Sequence, residues 1–371
     1  MAAATSVQLM TTPRVEPETD HRVVLAVGGS AGSVQPLVEI IRDLPGDLAA
    51  AVLVTIHVGE QTRLPQILSR SGPLRAVHVA DREGLEQGRI YIAPPGRHLF
   101  ARDGLALLSP SPRVNRHRPA VDVMFASAAE WVASRTIAVV LSGALDDGAV
   151  GAALVAQAGG QVLVQDPAEA EFDSMPRSAL AAASGARAVP LRQLAHQIRE
   201  CVDVARSLHS DPMMDEAGRG ADMEMVESAD PGYLREDESQ LTRLSCPDCG
   251  GGMARINLPQ ISYFRCHVGH QFAPRAFAAA QAEVSETKLW GAVAALEEQA
   301  AILRYLQRRA FGPRQVAPPD RNQTQTAQQR YAEDIASRAA ALRAQVREWS
   351  NHPSQLDTQS QEAAVGEAGD R

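Results

Sequence analysis

An apolar run, Val23-Val24-Leu25-Ala26-Val27, enters Gly28-Gly29-Ser30-Ala31-Gly32 and leaves as an amphipathic segment from Val34 to Arg42. Strand, tight turn and helix in that order direct the chain into a parallel α/β sheet, because a helix that follows a strand must pack back on a sheet face. Glycines on both sides of the serine let the backbone turn without a Cβ clash. The serine fits G-x-S-x-G, the turn that presents a hydroxyl nucleophile at the end of a parallel strand. A glycine-rich turn of this kind also suits phosphate binding or simple packing. A full G-x-G-x-x-G or P-loop pattern is absent, which sets nucleotide binding aside.

The same alternation continues to Leu208. Strands are predicted at Val23–Val27, Ala51–Ile56, Ala76–Val79, Thr136–Leu141, Gln161–Val164 and Ala186–Val189. Helical periodicity marks Val34–Arg42, Ala120–Ala133, Gly148–Gln157, Pro176–Ala183 and Leu191–Leu208. The fold class expected for 22–208 is therefore α/β, a three-layer doubly wound and mostly parallel sheet. Between Gly88 and Leu108 three short strands, Arg89–Ala93, His98–Ala101 and Leu105–Leu108, read as a hairpin insertion turned by Pro-Pro-Gly and Arg-Asp-Gly.

With 371 residues the chain has room for two or three domains. Residues 1–21 read as a disordered lead without the features of a secretory signal. Residues 209–243 are polar and acidic and read as a flexible linker. A cysteine module is expected over 244–280, a helical hairpin over 281–350 and a disordered tail over 351–371. The hairpin rests on two apolar stripes, Leu289, Val293, Leu296, Ala300, Leu303 and Tyr331, Ile335, Leu342, Val346, Trp349, separated by Pro313, Pro318 and Pro319. The formal charge of −8 argues against general nucleic-acid binding. No apolar run approaches the roughly 20 residues of a membrane span. Four cysteines, three of them between 246 and 266, suggest metal ligation in a reducing cytoplasm.

A nucleophilic serine needs a base and a group that orients it. His57 ends the apolar run Ala51–Ile56, so strands of one parallel sheet would bring it to the same edge as Ser30. Its blander reading is a histidine that caps a strand. The acid lies in Ser142-Gly143-Ala144-Leu145-Asp146-Asp147-Gly148, where one carboxylate suits a helix N-cap and the other suits orientation of His57. Chain order Ser, His, Asp departs from the Ser, Asp, His of α/β-hydrolases. Farther on, Cys246-Pro247-Asp248-Cys249 and Cys266-His267-Val268-Gly269-His270 form two knuckles suited to a tetrahedral structural zinc. The expected ligands are Cys246, Cys249, Cys266 and His270, with His267 as the rival to His270. Cys201 reads as a buried thiol on a helix.

Several runs together resemble the catalytic domain of CheB-type protein-glutamate methylesterases of bacterial chemotaxis. They are Ala26–Ser33 (AVGGSAGS), the His that ends LVTIH, YIAPPGRHL at Tyr91–Leu99, VNRHRPAVD at Val114–Asp122, LSGALDDGAVG at Leu141–Gly151, and Asp173–Arg177 (DSMPR). The resemblance implies a serine hydrolase of glutamyl methyl esters on chemoreceptors, some members also deamidating glutamine. It places Ser30 as nucleophile, His57 as base and Asp147, not Asp146, as the acid. Ala31 and Gly32 at the helix start are the expected oxyanion donors. Arg116 and Arg118 either line the substrate entrance or build a turn in which one pairs with Asp122, and His117 is the runner-up histidine. Typical members carry a receiver domain before the esterase, for which residues 1–21 leave no room, and receiverless members carry similar cysteine modules. The competing expectation is a nonenzymatic adaptor that uses the esterase fold and the C-terminal module to bind partners.

Overall fold

The computed structural model describes residues 22–57, 63–208, 239–310 and 319–351. The expected lead at 1–21, residues 209–238 of the expected linker, Pro313, Pro318 and the tail from 352 lie outside the described residues.

The first part of the chain runs β1 (Val24–Gly29), α1 (Val34–Asp43), β2 (Ala51–Ile56), α2 (Leu64–Ser71), β3 (Arg75–His78), β4 (Glu83–Gly84), β5 (Arg89–Ile92), β6 (His98–Arg102), β7 (Leu105–Ser109) and α3 (Val121–Val132). It continues through β8 (Thr136–Val140), α4 (Ala149–Gln157), β9 (Gln161–Gln165), α5 (Ser174–Ala182), β10 (Arg187–Val189) and α6 (Leu191–Ser207). Seven strands form one sheet in the order β10-β9-β8-β1-β2-β5-β3, and every pairing in it is parallel. Strand side chains alternate between two cores. Leu25 and Val27 join Leu37 and Ile40 of α1 and Ile198 of α6 on one face. Val24 and Ala26 join Val121 and Phe125 of α3, Ala152 of α4 and Met175 of α5 on the other. Burial on both faces explains why these strands read as unbroken apolar runs.

Two elements differ from expectation. β5 belongs to the central sheet, parallel between β2 and β3, and not to the hairpin insertion. Its run Ile90-Tyr91-Ile92 is buried on successive residues, with the isoleucines in one core and the tyrosine in the other. A hairpin strand with one wet face would have alternated. The hairpin is β6–β7 alone, with β4 on the free edge of β7. α2 was not expected. It is a short helix opened by a proline in its first turn, and only Leu64, Pro65 and Leu68 are buried.

The C-terminal part is β11 (Ser239–Ser245), β12 (Gly252–Asn257), β13 (Ser262–Cys266), β14 (Gln271–Phe272), α7 (Pro274–Ala310) and α8 (Pro319–Asn351). The four strands form an antiparallel sheet that begins at Ser239, five residues before Leu244. Sheet and helix share a small core of Cys246, Met253, Cys266, Phe272, Phe277 and Ala280. α7 and α8 run antiparallel, because Arg343 reaches Glu297 at 2.5 Å while Ser350, farther along α8, reaches Glu286 at 2.6 Å. Val293 and Ala300 are buried on one helix, Ala332, Ile335, Ala339 and Val346 on the other. Tyr331 and Trp349, placed in the stripe by sequence, are instead 53% and 43% exposed. Ala332 and Ala339 take inward positions, where small side chains let helix axes approach closely. Among the described residues no helix is long and apolar enough to cross a membrane.

Candidate active site

β1 lies in the middle of the sheet, with β8 on one side and β2 on the other. Chain direction out of the sheet reverses there, which opens a crevice at the strand ends. Ser30 follows β1, His57 follows β2, and Asp147 lies in the turn after β8. Backbone bonds lock these ends together. His57 N–H donates to Gly29 O (3.2 Å), Leu141 N–H to Gly28 O (2.8 Å), and Ser30 N–H to Ser142 O (2.9 Å). Two glycines make the closeness possible. A Cβ on Gly28 would lie 2.1 Å from Val121 Cγ1, and one on Gly143 would lie 2.1 Å from Met175 Sδ and 2.9 Å from Ser30 Cβ.

The three expected residues meet. His57 Nδ1 lies 3.1 Å from Ser30 Oγ, and His57 Nε2 lies 2.9 Å from Asp147 Oδ2. An ionised carboxylate only accepts, so Nε2 carries the proton and Nδ1 offers its lone pair to the serine hydroxyl. Asp147 also accepts from Val121 N–H (2.8 Å), Asp122 N–H (3.2 Å) and the Asn115 amide (2.9 Å). Burial pushes its carboxyl up, but the bond to His57, the neighbouring imidazole charges and the Val121 N–H together hold it well below the usual carboxylate range. Asp122, fully buried beside it, is driven the other way, first by burial and then by the charge of Asp147. Asn115 Nδ2 donates to both carboxylates, at 2.8 Å to Asp122 and 2.9 Å to Asp147. Asp147 is thus the ionised member of a bridged pair.

His117 contributes a ring face and not a nitrogen. It stacks on His57 with centroids 3.7 Å apart and planes 9° from parallel. Burial, and then the charge of His57, lower its pKa to about 4, so it stays neutral at neutral pH. The runner-up histidine therefore backs the His57 ring instead of bonding to Ser30. The amides of Ala31 and Gly32 have no acceptor among the described residues. They stand in the turn just before Ser33, the N-cap of α1, and directly after Ser30, and Ser142 Oγ ties down the Ala31 carbonyl at 2.8 Å. That leaves two N–H groups in the turn that leads into a helix N-terminus, an environment suited to negative charge.

Neither arginine of the VNRHRPAVD run pairs with Asp122. Arg116 is bonded to Glu283 of α7 and lies 3.9 Å from Asp248. Arg118 donates to the carbonyls of Pro110 (2.7 Å) and Ser111 (2.9 Å), which makes it a turn-building residue. Asp146 is the helix cap that sequence anticipated for one of the two carboxylates, but the helix is a distant one. It accepts from the backbone N–H groups of Arg275 (2.7 Å) and Ala276 (2.9 Å) at the start of α7.

The cysteine cluster is a separate centre. Ligand atoms of Cys246, Cys249, Cys266 and His270 all lie within 4.8 Å of one another. Cys249 Sγ is 3.7 Å from Cys266 Sγ, which in turn is 3.5 Å from His270 Nδ1. A tetrahedral zinc with bonds of about 2.3 Å to sulfur has an edge of about 3.8 Å, so this group fits such an ion. His267 is not a member of that group and packs on Gly251, where a Cβ would lie 2.3 Å from His267 Cε1. Cys201 is buried on α6, where burial raises its thiol, and accepts from Arg187 at 3.2 Å.

Residues 25–198 match the family described as CheB methylesterase. A putative protein-glutamate methylesterase/protein-glutamine glutaminase of Leptospira interrogans is 33% identical over 174 residues, which are 46% of this chain and 90% of the relative. The protein-glutamate methylesterase/protein-glutamine glutaminase 2 of Anaeromyxobacter dehalogenans is 34% identical over 48% of this chain and 52% of its own length. The crystal structure of the Thermotoga maritima CheB methylesterase catalytic domain is 32% identical, covers 48% of this chain and 98% of that one, and superposes with a TM-score of 0.46.

Proposed function

The chain belongs to the CheB methylesterase family, and we propose that it is a serine hydrolase that removes methyl esters from glutamyl side chains of chemoreceptor-type proteins in the cytoplasm. The observation that carries this reading is the unbroken hydrogen-bonded chain Ser30, His57, Asp147, at 3.1 and 2.9 Å. Relatives named protein-glutamate methylesterase/protein-glutamine glutaminase support the substrate class.

In the reaction, Ser30 Oγ attacks the ester carbonyl while His57 Nδ1 takes the hydroxyl proton. Asp147 holds the imidazole in the required tautomer and stabilises its positive charge. Ala31 and Gly32 N–H receive the oxyanion, where one such donor contributes about 3–4 kcal/mol in comparable enzymes. The tetrahedral intermediate collapses, His57 returns the proton to the departing methoxide, and methanol leaves a glutamyl ester on Ser30. Water, deprotonated by His57, then frees glutamate and restores the serine. Glutamine side chains fit the same acyl route with ammonia as leaving group.

The Cys246, Cys249, Cys266, His270 centre is proposed to hold a structural zinc. All four positions come from the protein, which leaves no site for a substrate oxygen. Methanol release from methylated chemoreceptor cytoplasmic fragments tests the main reading, with Ser30→Ala as control. The expected result is release by the wild type and a loss of at least about 10³-fold in the variant. Equal release by both proteins, or none by the wild type, would overturn it, and the second outcome would point to an adaptor.

A further inference from the structure

Two side chains beside the triad are shared with the C-terminal module. Asn115 has one amide and all of it is engaged. Its Nδ2 donates to Asp122 and Asp147, and its Oδ1 accepts from Ala273 N–H at 2.7 Å. The Ala273 donor decides which end of the amide faces the carboxylates, since a flipped amide would aim its oxygen at Asp147. The backbone of Asn115 is held by the same strand, its N–H donating to Gln271 O at 2.8 Å. Asn115 has φ +51°, a conformation asparagine tolerates better than most residues. On the other side of the acid, both oxygens of Asp146 cap the first N–H groups of α7. The residue next to Asp147 is thereby pinned to the module. Gln271 and Ala273 directly follow the Cys266–His270 knuckle, so the folding of that knuckle and the frame around Asp147 share a backbone.

We propose that Asn115 and Asp146 are positioning residues through which the C-terminal module holds Asp147 in register with His57, making the folded, metal-loaded module a working part of the catalytic centre. The inference rests on the triad reading above and adds to it the source of the acid's orientation.

Full-length zinc-loaded protein tests it, before and after removal of zinc with EDTA, with two readouts. One is the far-downfield proton resonance of the His57–Asp147 hydrogen bond and its exchange rate. The other is the rate at which a fluorophosphonate labels Ser30, which needs no receptor. Zinc removal is expected to speed exchange of that proton and slow the labelling, each by tenfold or more. Asp146→Ala should do the same with zinc present, and Asp146→Asn, which keeps one cap acceptor, should recover most of the loss. In Asn115→Ala the frame is already broken, so zinc removal should change labelling less than twofold further. The proposal is overturned if the proton and the labelling rate stay unchanged while circular dichroism shows the module unfolded, or if Asn115→Ala remains as zinc-sensitive as the wild type. Failure of methanol release with a zinc-dependent proton would sink the substrate reading alone. Zinc-independent methanol release would sink this inference alone.

Discussion

Asp146 and Asp147 are neighbours in sequence and meet different partners, and their surroundings set their ionisation apart. Asp147 faces an imidazole and backbone donors and stays ionised. Asp146 is raised to about 6, chiefly by burial, with the Arg275 and Ala276 N–H groups pulling the other way. His98 shows the same physics in a residue with no catalytic part. It is fully buried, with Nε2 3.0 Å from Pro112 O and Nδ1 accepting from Ala120 N–H at 3.2 Å, so it is held neutral. Burial lowers its pKa to about 4. The unfolded chain therefore binds this proton first, and stability is lost as pH falls from about 6.5 towards about 4. Asp146 works in the opposite sense, since its raised value lowers stability as pH rises through the same range. Comparing wild type with His98→Gln isolates the histidine. Urea unfolding at pH 7.5 and 4.5 should show the wild type losing about 2–3 kcal/mol more than the variant over that interval. Parallel pH dependence of the two proteins would refute it.

At the scale of elements, α3 can approach β1 only where β1 has no side chain. A Cβ on Gly28 would meet Val121 Cγ1 at 2.1 Å, and Val121 N–H is one of the donors that hold Asp147. Gly28→Ala should cost about 1–3 kcal/mol by overpacking and also slow turnover. Val121→Ala alone should destabilise as well, by emptying a core position. Combined, they should be better than the sum of the two by about 1–3 kcal/mol, because each relieves what the other disturbs. Strict additivity in urea unfolding would show that the helix shifts freely and that the contact is not limiting. These elements also show what sequence could reveal. β1, β2 and β8 each carry an apolar run into a polar turn, so the three strand ends with Ser30, His57 and the Asp146-Asp147 pair are legible from the residues, while the choice of Asp147 comes from the family resemblance. β5 was assigned to the wrong sheet because two short neighbours with turn signals resemble a hairpin insertion. α2 was missed because it buries only one short edge. That Asn115 bridges to the C-terminal sheet, and that the helix capped by Asp146 is α7, left no local signal, since their donors lie 158 and 129 residues away.

On the scale of the whole molecule, the two parts of the chain owe their stability to different sources. The seven-stranded sheet is covered on both faces by large apolar cores. The four-stranded sheet shares a core of six buried residues with α7, two of them cysteines of the group that could hold a metal, and sets Ile256 and Tyr263 against Val150 of α4 in a second small cluster. So little apolar surface does not hold a sheet of this size by itself, and ligation is expected to supply much of the folding free energy. The contacts between the parts combine hydrogen bonds, Asn115 with Gln271 and Ala273 and Asp146 with Arg275 and Ala276, with a small apolar patch in which Val150 and Leu154 of α4 meet Ile256, Tyr263 and Ala273. That patch is small beside the two cores of the seven-stranded sheet, so loss of metal should unfold one part and leave the other standing. Hydrogen exchange followed by mass spectrometry, on protein treated with EDTA, should show at least tenfold faster exchange in β11 to β14 and in the first turns of α7. Slow exchange should persist in β1, β2 and β8. Cys249→Ser should reproduce the pattern without chelator, because it removes one of the four ligands. Unchanged protection of the small sheet in protein shown to be free of zinc would mean that apolar packing alone sustains it. Simultaneous loss of protection in both sheets would mean that the hydrogen bonds and the apolar patch between them couple the two parts into one cooperative unit.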